Sequence, residues 1–493
     1  MNFVEKNEAT AKLITPNNNV ITVIGNDFIR DSFEDGALQQ IINIADAPGI
    51  TESVLNPDGH WGYGCPVGSV FASPEIIYPN AVGPDVKCSM SFLQFNIPYH
   101  ALDEKKLRAA IIKAVEARIP TGPGNHMPPK ARPFDDIEIL KNVAIHGATK
   151  EVLTSLNIPV NWIDFCEDAT HGKADELESR LNDLMNQVPA LEGKLRQLGG
   201  IGGGNHFTSC DRVIVQTGME DIANAFNLIN DNIGFLCHFG SRGFGFSLTS
   251  GCKGWPGQFR LLQDKFEKWH LPFPGGDNHN VYAPADSVEG KNYLIDMALG
   301  ANFATINHLL ICAYVIEAFT EVLGNSVEAY LVYYIAHNII RREIVDKNFQ
   351  YVHRKGATRA FSAGHYELKD TPFYKTGHPI LLPGNPIEGS TIMVAQRGAR
   401  KALNSVNHGA GRAMSRRKAS DTFKQRDVVA HFDASDIITN CGRNYPVDEC
   451  SQAYKPYAQV IESVEKAGLA LTVAKLIPRF VIKDNDTRSE TSS

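Results

Sequence analysis

The sequence predicts a single α+β domain in which helical and strand-like segments intertwine along the chain. Residues 1–100 are rich in Gly, Pro, Asn and short β-branched runs, a composition typical of strands and loops. Residues 101–118 and 174–198 instead repeat apolar side chains with the period of an amphipathic helix. No internal repeat, low-complexity linker or shift in composition divides the 493 residues. We therefore favour one domain over the roughly three that ~150 residues per domain would suggest.

The later segments also alternate between helix and strand. In chain order they are strand-like runs at 212–216 and 233–240, a helix at about 286–323, the apolar segment 331–340 with a basic stretch up to Arg359, a turn-rich and then strand-like region at 371–395, and a final helix at 457–476. The last ten residues, 484–493 (DNDTRSETSS), carry nothing that a core could bury. We expect a domain spanning residues 1–483 and a disordered tail.

Composition and charge exclude several classes of protein. The chain is 43% apolar and 21% charged, as in ordinary globular proteins, so wholesale disorder is excluded. With 48 Lys and Arg against 55 Asp and Glu, the net charge is −7, which argues against a surface coated with positive charge but leaves room for a local basic site. The nine cysteines are scattered without a Cys-x-x-Cys pair, so neither a disulfide framework nor a zinc ribbon is indicated.

The sequence favours a cytoplasmic protein with reduced thiols and no membrane partner. The N-terminal residues are polar and contain no apolar signal core. The most apolar run, 297–318, contains Asn302, Asn307, His308 and Glu317, which would be costly in the middle of a bilayer. We interpret this run as a buried helix.

The candidate chemistry lies in histidines that stand beside glycines or at the ends of apolar runs, where backbone can approach a ligand closely. They are His206, His238, His337 and His408. Asp85 and Cys88, three residues apart in GPDVKCSM, could face one ion from a turn. Asp, Cys and His together suit Zn, Mn or Fe, and composition does not choose among these metals. The glycine run before His206 does not match the dinucleotide-binding fingerprint.

Ten short motifs resemble those of the RtcB family of RNA ligases and occur in the family's order. They are PDGHWGYGCPVG (57–68), GPDVKCSM (83–90), GGGNHF (202–207), HFGSRGFG (238–245), AHN (336–338), RKGATRA (354–360), LPG (382–384), HGAGRAMSR (408–416), VEKAGLA (464–470) and VIK (481–483). The resemblance covers about residues 55 to 483, and GGGNHF and HGAGRAMSR are its most specific parts. It implies the RtcB-like fold, with a central cleft for metal and nucleotide.

The resemblance also implies an activity. RtcB-type enzymes join an RNA 3′-phosphate or 2′,3′-cyclic phosphate to a 5′-hydroxyl, using GTP and two Mn²⁺ ions, through a histidine that carries GMP. His408 matches that histidine. The implied partners are RNA ends and GTP, and no activating protein is named by the sequence.

The site residues implied by the resemblance fall into three sets. The metal ligands of the family match Asp85, Cys88, His206, His238 and His337. The resemblance implies that the Cys88 thiolate bridges two ions. His238 and His337 complete the ligands of one ion, and Asp85 and His206 those of the other. The nucleotide-binding set comprises Asp58, Asn205, Asn338, Pro383, Gly384, Ser390, Gly409, Ala410, Gly411, Tyr454 and Lys483. RNA phosphates are assigned to Arg412, Arg416 and Arg242, with Arg354, Lys355 and Arg359 as weaker candidates that could equally form a solvated basic face.

Departures from the family pattern indicate a divergent member. Family members commonly read DIGCGM where this chain reads DVKCSM, and Ser209 replaces an acidic residue expected at the guanine edge. Asn385 and Pro386 replace Ser and Met, and Asn407 replaces the usual Cys before the nucleophile. These changes leave open a related nucleotidyltransferase or end-repair enzyme with another nucleotide or substrate. A non-catalytic protein that binds RNA ends and a single structural zinc site also remain as alternatives.

Overall fold

The computed structural model describes residues 3–122 and 136–484, which contain two large β-sheets and the helices packed on them. The strands are β1 (Thr10–Ile14), β2 (Val20–Ile24), β3 (Glu52–His60), β4 (Val67–Ser73), β5 (Ile76–Ile77), β6 (Ser89–Pro98), β7 (Phe207–Val215), β8 (Asn232–Phe239), β9 (Ala283–Pro284), β10 (Ala329–Ala336), β11 (Asn338–Val345), β12 (Asn348–Lys355), β13 (Ala357–Arg359), β14 (Pro379–Asn385), β15 (Gly389–Ala395), β16 (Ser405–Asn407), β17 (Ile438–Thr439) and β18 (Ala470–Lys483).

The helices lie between these strands along the whole described chain. They are α1 (Asp27–Asp31), α2 (Asp35–Ala45), α3 (Lys105–Glu116), α4 (Ile137–His146), α5 (Lys150–Ser155), α6 (Ala174–Gln187), α7 (Leu191–Leu195), α8 (Glu220–Ala225), α9 (Arg242–Thr249), α10 (Gly257–Lys268), α11 (Val288–Leu323), α12 (Arg416–Thr422), α13 (Gln425–Ala434) and α14 (Tyr457–Lys466).

The central sheet confirms the predicted intertwined α+β fold. Its order is β10-β6-β8-β7-β18-β15-β14, with β17 paired to β18, so β6 from the first quarter of the chain lies beside β10 from the third, and β7 from the second quarter lies beside β18 from the last. The second sheet, β1-β2-β3-β4-β12-β11, likewise joins N-terminal strands to a hairpin from the middle of the chain. Neither sheet could form from one half of the sequence alone.

The two faces of the central sheet pack into different cores. Leu93 and Phe95 of β6 lie in a core shared with α3, α4, α6 and α11, whereas Met90 and Phe92 lie in a core shared with the second sheet. Side chains two residues apart point to the same face of a strand, so this alternation is what β6 requires. The sheet is therefore buried on both sides, and its strand ends are where a site can open.

Helix α11 confirms the prediction of a buried helix. Its 36 residues include a segment long and apolar enough to cross a membrane, but 83% of that segment is buried inside the protein. Its polar side chains hold surrounding backbone: Asn302 donates to the carbonyls of Ala144 and Ile145, and Asn307 to those of Gly200 and Gly240. The amides of these two buried asparagines are thus paired, as burial demands.

The predicted final helix was wrong beyond Lys466. Helix α14 ends there, Gly468 turns the chain with a φ of +70°, and β18 runs from Ala470 to Lys483. Residues 474–480 alternate between buried and exposed positions. Ala, Leu and Lys are good helix formers, but pairing with β7 and β15 decides the conformation.

Two further differences concern the first half of the chain. The helical region predicted at 174–198 is interrupted after Gln187, where Pro189 removes an amide donor and Ala190 takes a left-handed φ of +57°. Residues predicted as strands and loops also contain α2, whose buried face includes Ile41 and Ile44. Of the predicted tail only Asp484 is among the described residues, so residues 485–493 lie outside them.

Candidate active site

A cleft of about 380 Å³ opens at one edge of the central sheet. Neighbouring strands there run antiparallel, so the end of β10, the start of β6, the end of β8 and the start of β7 meet at this edge. The predicted site residues that line the cleft are Asp85, Cys88, Asn205, His238, His337, Asn338, Pro383, Gly384, Ser390, His408, Gly409, Ala410, Gly411, Arg412, Arg416, Tyr454 and Lys483. The three others, Asp58, His206 and Arg242, are not among the residues that line the cleft.

The sheet edge brings together the five predicted metal ligands. Asp85 and Cys88 occupy the turn before β6, closed by a hydrogen bond from the Cys88 amide to the Asp85 carbonyl (3.2 Å). His206 directly precedes β7, His238 is the penultimate residue of β8, and His337 follows β10. Positions more than 240 residues apart in sequence therefore converge because the strand order makes them neighbours.

The five side chains form two groups that share Cys88. Donor atoms of Cys88, His238 and His337 lie within 4.8 Å of one another, and so do those of Asp85, Cys88 and His206. The Cys88 Sγ lies 3.3 Å from Nε2 of His238 and 3.5 Å from Nε2 of His206. The resemblance implies the same two groups, and the Cys88 thiol is a member of each.

The electrostatics of these groups suit cations. Burial lowers the pKa of both His238 and His337 well below the ordinary value, so both imidazoles are neutral and have a lone pair to offer. Burial, followed by the Asp85 carboxylate, raises the pKa of the Cys88 thiol well above its ordinary value. A thiolate at this position consequently needs a bound cation beside it. The donor set therefore fits a divalent metal pair.

The loop after β8 approaches the Asp85 carboxylate closely. A Cβ atom at position 240 would lie 2.3 Å from Oδ1 of Asp85, so only glycine fits there. On the other side, Nε2 of His206 lies 2.7 Å from Oδ2 of Asp85. Burial alone would raise the pKa of Asp85, but its neighbours, His206 foremost, bring it below the ordinary value. The carboxylate is thus ionised and available as an oxygen ligand.

His408 is held in one tautomer beside this cluster. Its Nδ1 lies 2.7 Å from Oδ2 of Asp58 and 2.9 Å from the carbonyl oxygen of Gly356. A carbonyl oxygen only accepts hydrogen bonds, so Nδ1 carries a proton. The ring centroid lies 4.6 Å from that of His337. In the neutral ring Nε2 is therefore the nitrogen with the lone pair, and this ring lies next to the predicted metal ligands.

Asp58 lies behind His408 instead of in the nucleotide cleft. Its side chain is fully buried, and Oδ2 faces the histidine. The Lys455 ammonium donates to the carbonyls of Pro57 and Gly59, on either side of Asp58. Burial lowers the pKa of Lys455 to about 7. Asp58, predicted as a nucleotide contact, is thus placed where it orients the His408 ring.

Glu449, which sequence reasoning missed, lies at the centre of the cleft's basic wall. Its carboxylate is 2.8 Å from Arg416, 3.2 Å from Arg412 and 3.1 Å from Lys483, and Tyr454 donates to it at 2.6 Å. Burial opposes ionisation, yet these cations lower the pKa of Glu449 to about 2. Four residues predicted separately for nucleotide and RNA thus share one carboxylate. Its position in the motif DECSQAYK, five residues before Tyr454, was the available signal.

The arginines predicted to bind phosphate already have protein partners. Arg412 donates from Nε to the Met414 carbonyl and from Nη2 to the Asp448 carbonyl, besides its contact with Glu449. Arg416 contacts Asp448 at 2.6 Å. Arg242 donates to the carbonyl of Gly122, and burial lowers its pKa to about 10. A phosphate in the cleft would therefore share or displace these contacts.

Two of the weaker candidates, Arg354 and Arg359, are buried in ion pairs. Arg354 is fully buried and makes two hydrogen bonds to Glu343, at 2.6 and 2.8 Å. Arg359 is buried against Glu167 and Asp168. A solvated basic face was therefore wrong for these two arginines, because a run of basic letters does not reveal buried carboxylates elsewhere in the chain. Lys355 is also buried but does line the cleft.

Some of the backbone amides in the glycine turn that begins at His408 already donate to backbone carbonyls. The amides of His408 and Ala410 donate to the carbonyls of Gly356 and Pro383 at 3.1 and 3.0 Å. The amides of Gly409 and Gly411 are thus the candidates for phosphate contacts in this turn. Asn407, one of the departures from the family pattern, donates to the Gly409 carbonyl at 2.7 Å and so holds the turn.

Lys87, another departure, occupies a backbone conformation that favours glycine. Its φ is +50°, between two predicted metal ligands. The side chain is fully buried, and its ammonium donates to Nε2 of His171 (2.7 Å), Oγ1 of Thr305 (2.7 Å) and the Asp168 carbonyl (3.0 Å). Three hydrogen bonds offset a backbone cost of about 1–2 kcal/mol. The metal-ligand turn is therefore tied to α11.

Two further departures from the family pattern, Ser209 and Asn385, also line the cleft. Ser209 faces the cleft and donates from Oγ to Oδ2 of Asp211 at 2.8 Å. Burial raises the pKa of Asp211 to about 7. Asn385 accepts from the amides of Ile387 and Glu388, which closes the hairpin between β14 and β15. Ser209 therefore has a carboxyl group behind it, although it carries none itself.

Fold and cleft together define an α+β protein in which a cluster of Cys, His and Asp side chains that could hold metal ions lies beside an oriented histidine. Residues 40–484 match the family model described as tRNA-splicing ligase RtcB. The chain is 34% identical to a tRNA-splicing ligase RtcB of Nanoarchaeum equitans over 91% of this chain and 92% of that protein. It is 29% identical to an RNA-splicing ligase RtcB of Mycobacterium bovis over 90% and 100%, respectively. The chain belongs to the RtcB family.

Proposed function

We propose that the protein is an RNA ligase that joins RNA 3′-phosphate or 2′,3′-cyclic phosphate ends to 5′-hydroxyl ends through a His408–GMP intermediate, with GTP and two Mn²⁺ ions. The observation that carries this proposal is the orientation of His408. Asp58 and Gly356 accept hydrogen bonds from the Nδ1 proton, so in the neutral ring Nε2 is the nitrogen that can act as the nucleophile. The family membership and the two donor groups around Cys88 support the same proposal.

The proposed reaction has three transfers. A 2′,3′-cyclic phosphate first adds water, which breaks its bond to O2′ and leaves a 3′-phosphate and a free 2′-hydroxyl, so both kinds of end then follow the same steps. The Nε2 lone pair of His408 forms a bond to the α-phosphorus of GTP, and the bond from that phosphorus to pyrophosphate breaks. An oxygen of the RNA 3′-phosphate then takes the guanylyl group, which restores the histidine. The 5′-hydroxyl finally attacks the activated 3′-phosphorus and GMP leaves. During the first step His408 gains positive charge, which the Asp58 carboxylate at 2.7 Å stabilises.

The metal ions would supply charge neutralisation at the phosphates when bound. Asp85, Cys88 and His206 would hold one ion, and Cys88, His238 and His337 the other. The chain's own part is to keep the imidazoles of His238 and His337 neutral by burial and to fix the turn before β6. Arg412, Arg416 and Lys483 would bring positive charge to the same wall of the cleft, currently balanced by Glu449.

Labelling with nucleotide tests the proposal directly. The protein is incubated with Mn²⁺ and GTP labelled at the α-phosphate, without RNA, and then denatured. We expect covalent label on the wild type and none on His408→Ala. Wild-type protein that never carries label, or a His408→Ala variant that still does, would overturn the proposed intermediate. Tight binding of 3′-phosphate RNA without any label would favour the non-catalytic alternative.

A second candidate, the same chemistry with another nucleotide, is favoured by one observation. Ser209 stands where the resemblance implies an acidic residue, and its hydroxyl is engaged by Asp211. A hydroxyl cannot accept two N–H groups of guanine as a carboxylate does. Running the labelling experiment with all four nucleoside triphosphates decides between the two: preferential labelling by GTP supports the first candidate, and by ATP, CTP or UTP the second.

The remaining expectations extend the proposal to the whole chain. Residues 1–483 would act as one catalytic domain, since the strands around the cleft come from both halves of the chain. A cytoplasmic location is supported by the nine cysteines, which are all free thiols.

A further inference from the structure

Two exposed aromatic side chains stand at the rim of the cleft and have no part in the chemistry described so far. Trp61 is 60% exposed and Tyr63 is 61% exposed, and both line the cleft. They follow directly on β3, whose residue Asp58 orients His408. Large apolar rings at such exposure are costly for a free protein, and at the edge of a site they indicate a binding surface.

The segment that carries these rings is held firmly in place. The buried Gln40 side chain donates to the Gly62 carbonyl and accepts from the Gly62 amide. The Tyr63 carbonyl accepts from Nζ of Lys355 at 2.8 Å. Lys355 precedes Gly356, whose carbonyl contacts the His408 ring. The two aromatic rings are therefore fixed relative to the nucleophile.

Both rings pack against other parts of the protein: Trp61 against Gly36, and Tyr63 against His279. A Cβ at position 36 would come within 2.5 Å of the Trp61 indole, so the glycine at the start of α2 makes room for that ring. The Tyr63 ring centroid lies 5.6 Å from that of His279, which in turn stacks on Phe259 at 6.1 Å with an interplanar angle of 14°. Trp61 and Tyr63 at the cleft, together with His279 and Phe259 packed in series behind Tyr63, are called the aromatic strip.

We propose that the aromatic strip binds the single-stranded RNA nucleotides next to the reacting end by stacking on their bases. The proposal rests on the proposed function, because the occupant is chosen as the substrate that must enter this cleft. Aromatic side chains bind unpaired bases of any sequence, since every base has a π-face. The chain's net charge of −7 also favours stacking over extensive phosphate contact as the means of holding RNA.

Binding of short RNA in a background without chemistry tests the strip. The His408→Ala variant serves as the parent, and fluorescence anisotropy measures its affinity for single-stranded oligonucleotides ending in a 3′-phosphate or, in a second arm, a 5′-hydroxyl. We expect Trp61→Ala to weaken binding about tenfold in at least one arm, within the range for loss of one stacked base. Trp61→Phe, which keeps a ring, should restore most of the affinity. The arm that responds identifies which RNA end lies on the strip.

Two controls make the outcome specific. Trp269 is 64% exposed on another part of the surface, so Trp269→Ala should bind RNA as the parent does. An oligonucleotide lacking the base nearest its end should bind the parent about tenfold more weakly and show no further loss with Trp61→Ala. Unchanged affinity in Trp61→Ala and Tyr63→Ala, or an equal loss in Trp269→Ala, would overturn the proposal. The labelling of His408 needs no RNA, so its failure would refute the ligase chemistry without affecting this result.

Discussion

Cys88 is the residue on which both donor groups depend. Because its Sγ belongs to each group, Cys88→Ala should weaken both ions, whereas His337→Ala should weaken one. Loss of a side chain that only supports a metal ligand costs 10–100-fold in affinity, so loss of a shared ligand should cost at least about tenfold for each ion. Manganese titration followed by metal analysis measures this. Cys252→Ala, a cysteine outside both groups, is the control, and an unchanged two-ion stoichiometry in Cys88→Ala would contradict the shared site.

Asp58 should act through the tautomer of His408. In Asp58→Asn the side-chain amide can donate to Nδ1 and so competes with the Gly356 carbonyl, which favours a proton there, and the lone pair on Nε2 is then lost in part of the molecules. We expect the labelling rate to fall by about 10²-fold or more, as when the orienting carboxylate of a catalytic histidine is neutralised. Bound manganese should stay at the wild-type level, since Asp58 belongs to neither donor group. If Asp58→Asn were labelled at the wild-type rate, Asp58 would not orient His408.

Glu449 should contribute stability that depends on pH. Its pKa is lowered in the folded protein from 4.5 to about 2, a difference worth about 3 kcal/mol. That contribution is complete above pH ~4.5 and is lost as the pH falls towards 2, because the unfolded chain takes up the proton first. Glu449→Gln should therefore lower the melting temperature at pH 7, and the difference from wild type should shrink between pH 5 and pH 3. Thermal unfolding at several pH values measures it, and a constant difference would contradict the ionised pairing.

Helix α11 acts on the site through Asn307. Its side chain accepts from the Gly199 amide and donates to the carbonyls of Gly200 and Gly240, which lie in the two loops that carry His206 and follow His238. Asn307→Leu would leave these buried groups unpaired, at about 1–3 kcal/mol each. We expect both a lower melting temperature and weaker manganese binding. Val315→Ala, in the same helix and also buried, should lower the melting temperature alone.

The elements show where sequence patterns suffice and where they fail. The periodicity of α3, α6 and α11 predicted these helices because each buries one continuous apolar face or is buried throughout. The helix predicted over 457–476 failed because residues such as Ala474 and Leu476 suit a helix but are paired with β7 and β15. Strand pairing over hundreds of residues is a property of the fold, and no local pattern encodes it.

At the scale of the molecule, the metal ligands and His408 could be identified from motifs, but the partners of the charged residues could not. Glu449 and Glu343 decide what Arg412 and Arg354 do, and both carboxylates reach their arginines only after folding. The residues behind the site, Asp58 and Asn307, have roles that only the three-dimensional contacts define. The sequence therefore predicts which residues could carry the chemistry of the site more readily than it predicts which residues hold them in place.

The whole-molecule charge leads to a last prediction, on the salt dependence of RNA binding. Arg354 and Arg359 are buried in ion pairs, and Arg412, Arg416 and Lys483 share Glu449, so within the described part of the cleft few cations are available to phosphates. With about two or three phosphate contacts, log K for single-stranded RNA should fall with log salt at a slope of about −1.5 to −2. Affinity should stop rising once an oligonucleotide spans the cleft and the aromatic strip. Anisotropy titrations over salt concentration and length measure both quantities. A slope steeper than about −4, with affinity that keeps rising with length, would instead indicate an extended basic track and would contradict recognition confined to RNA ends.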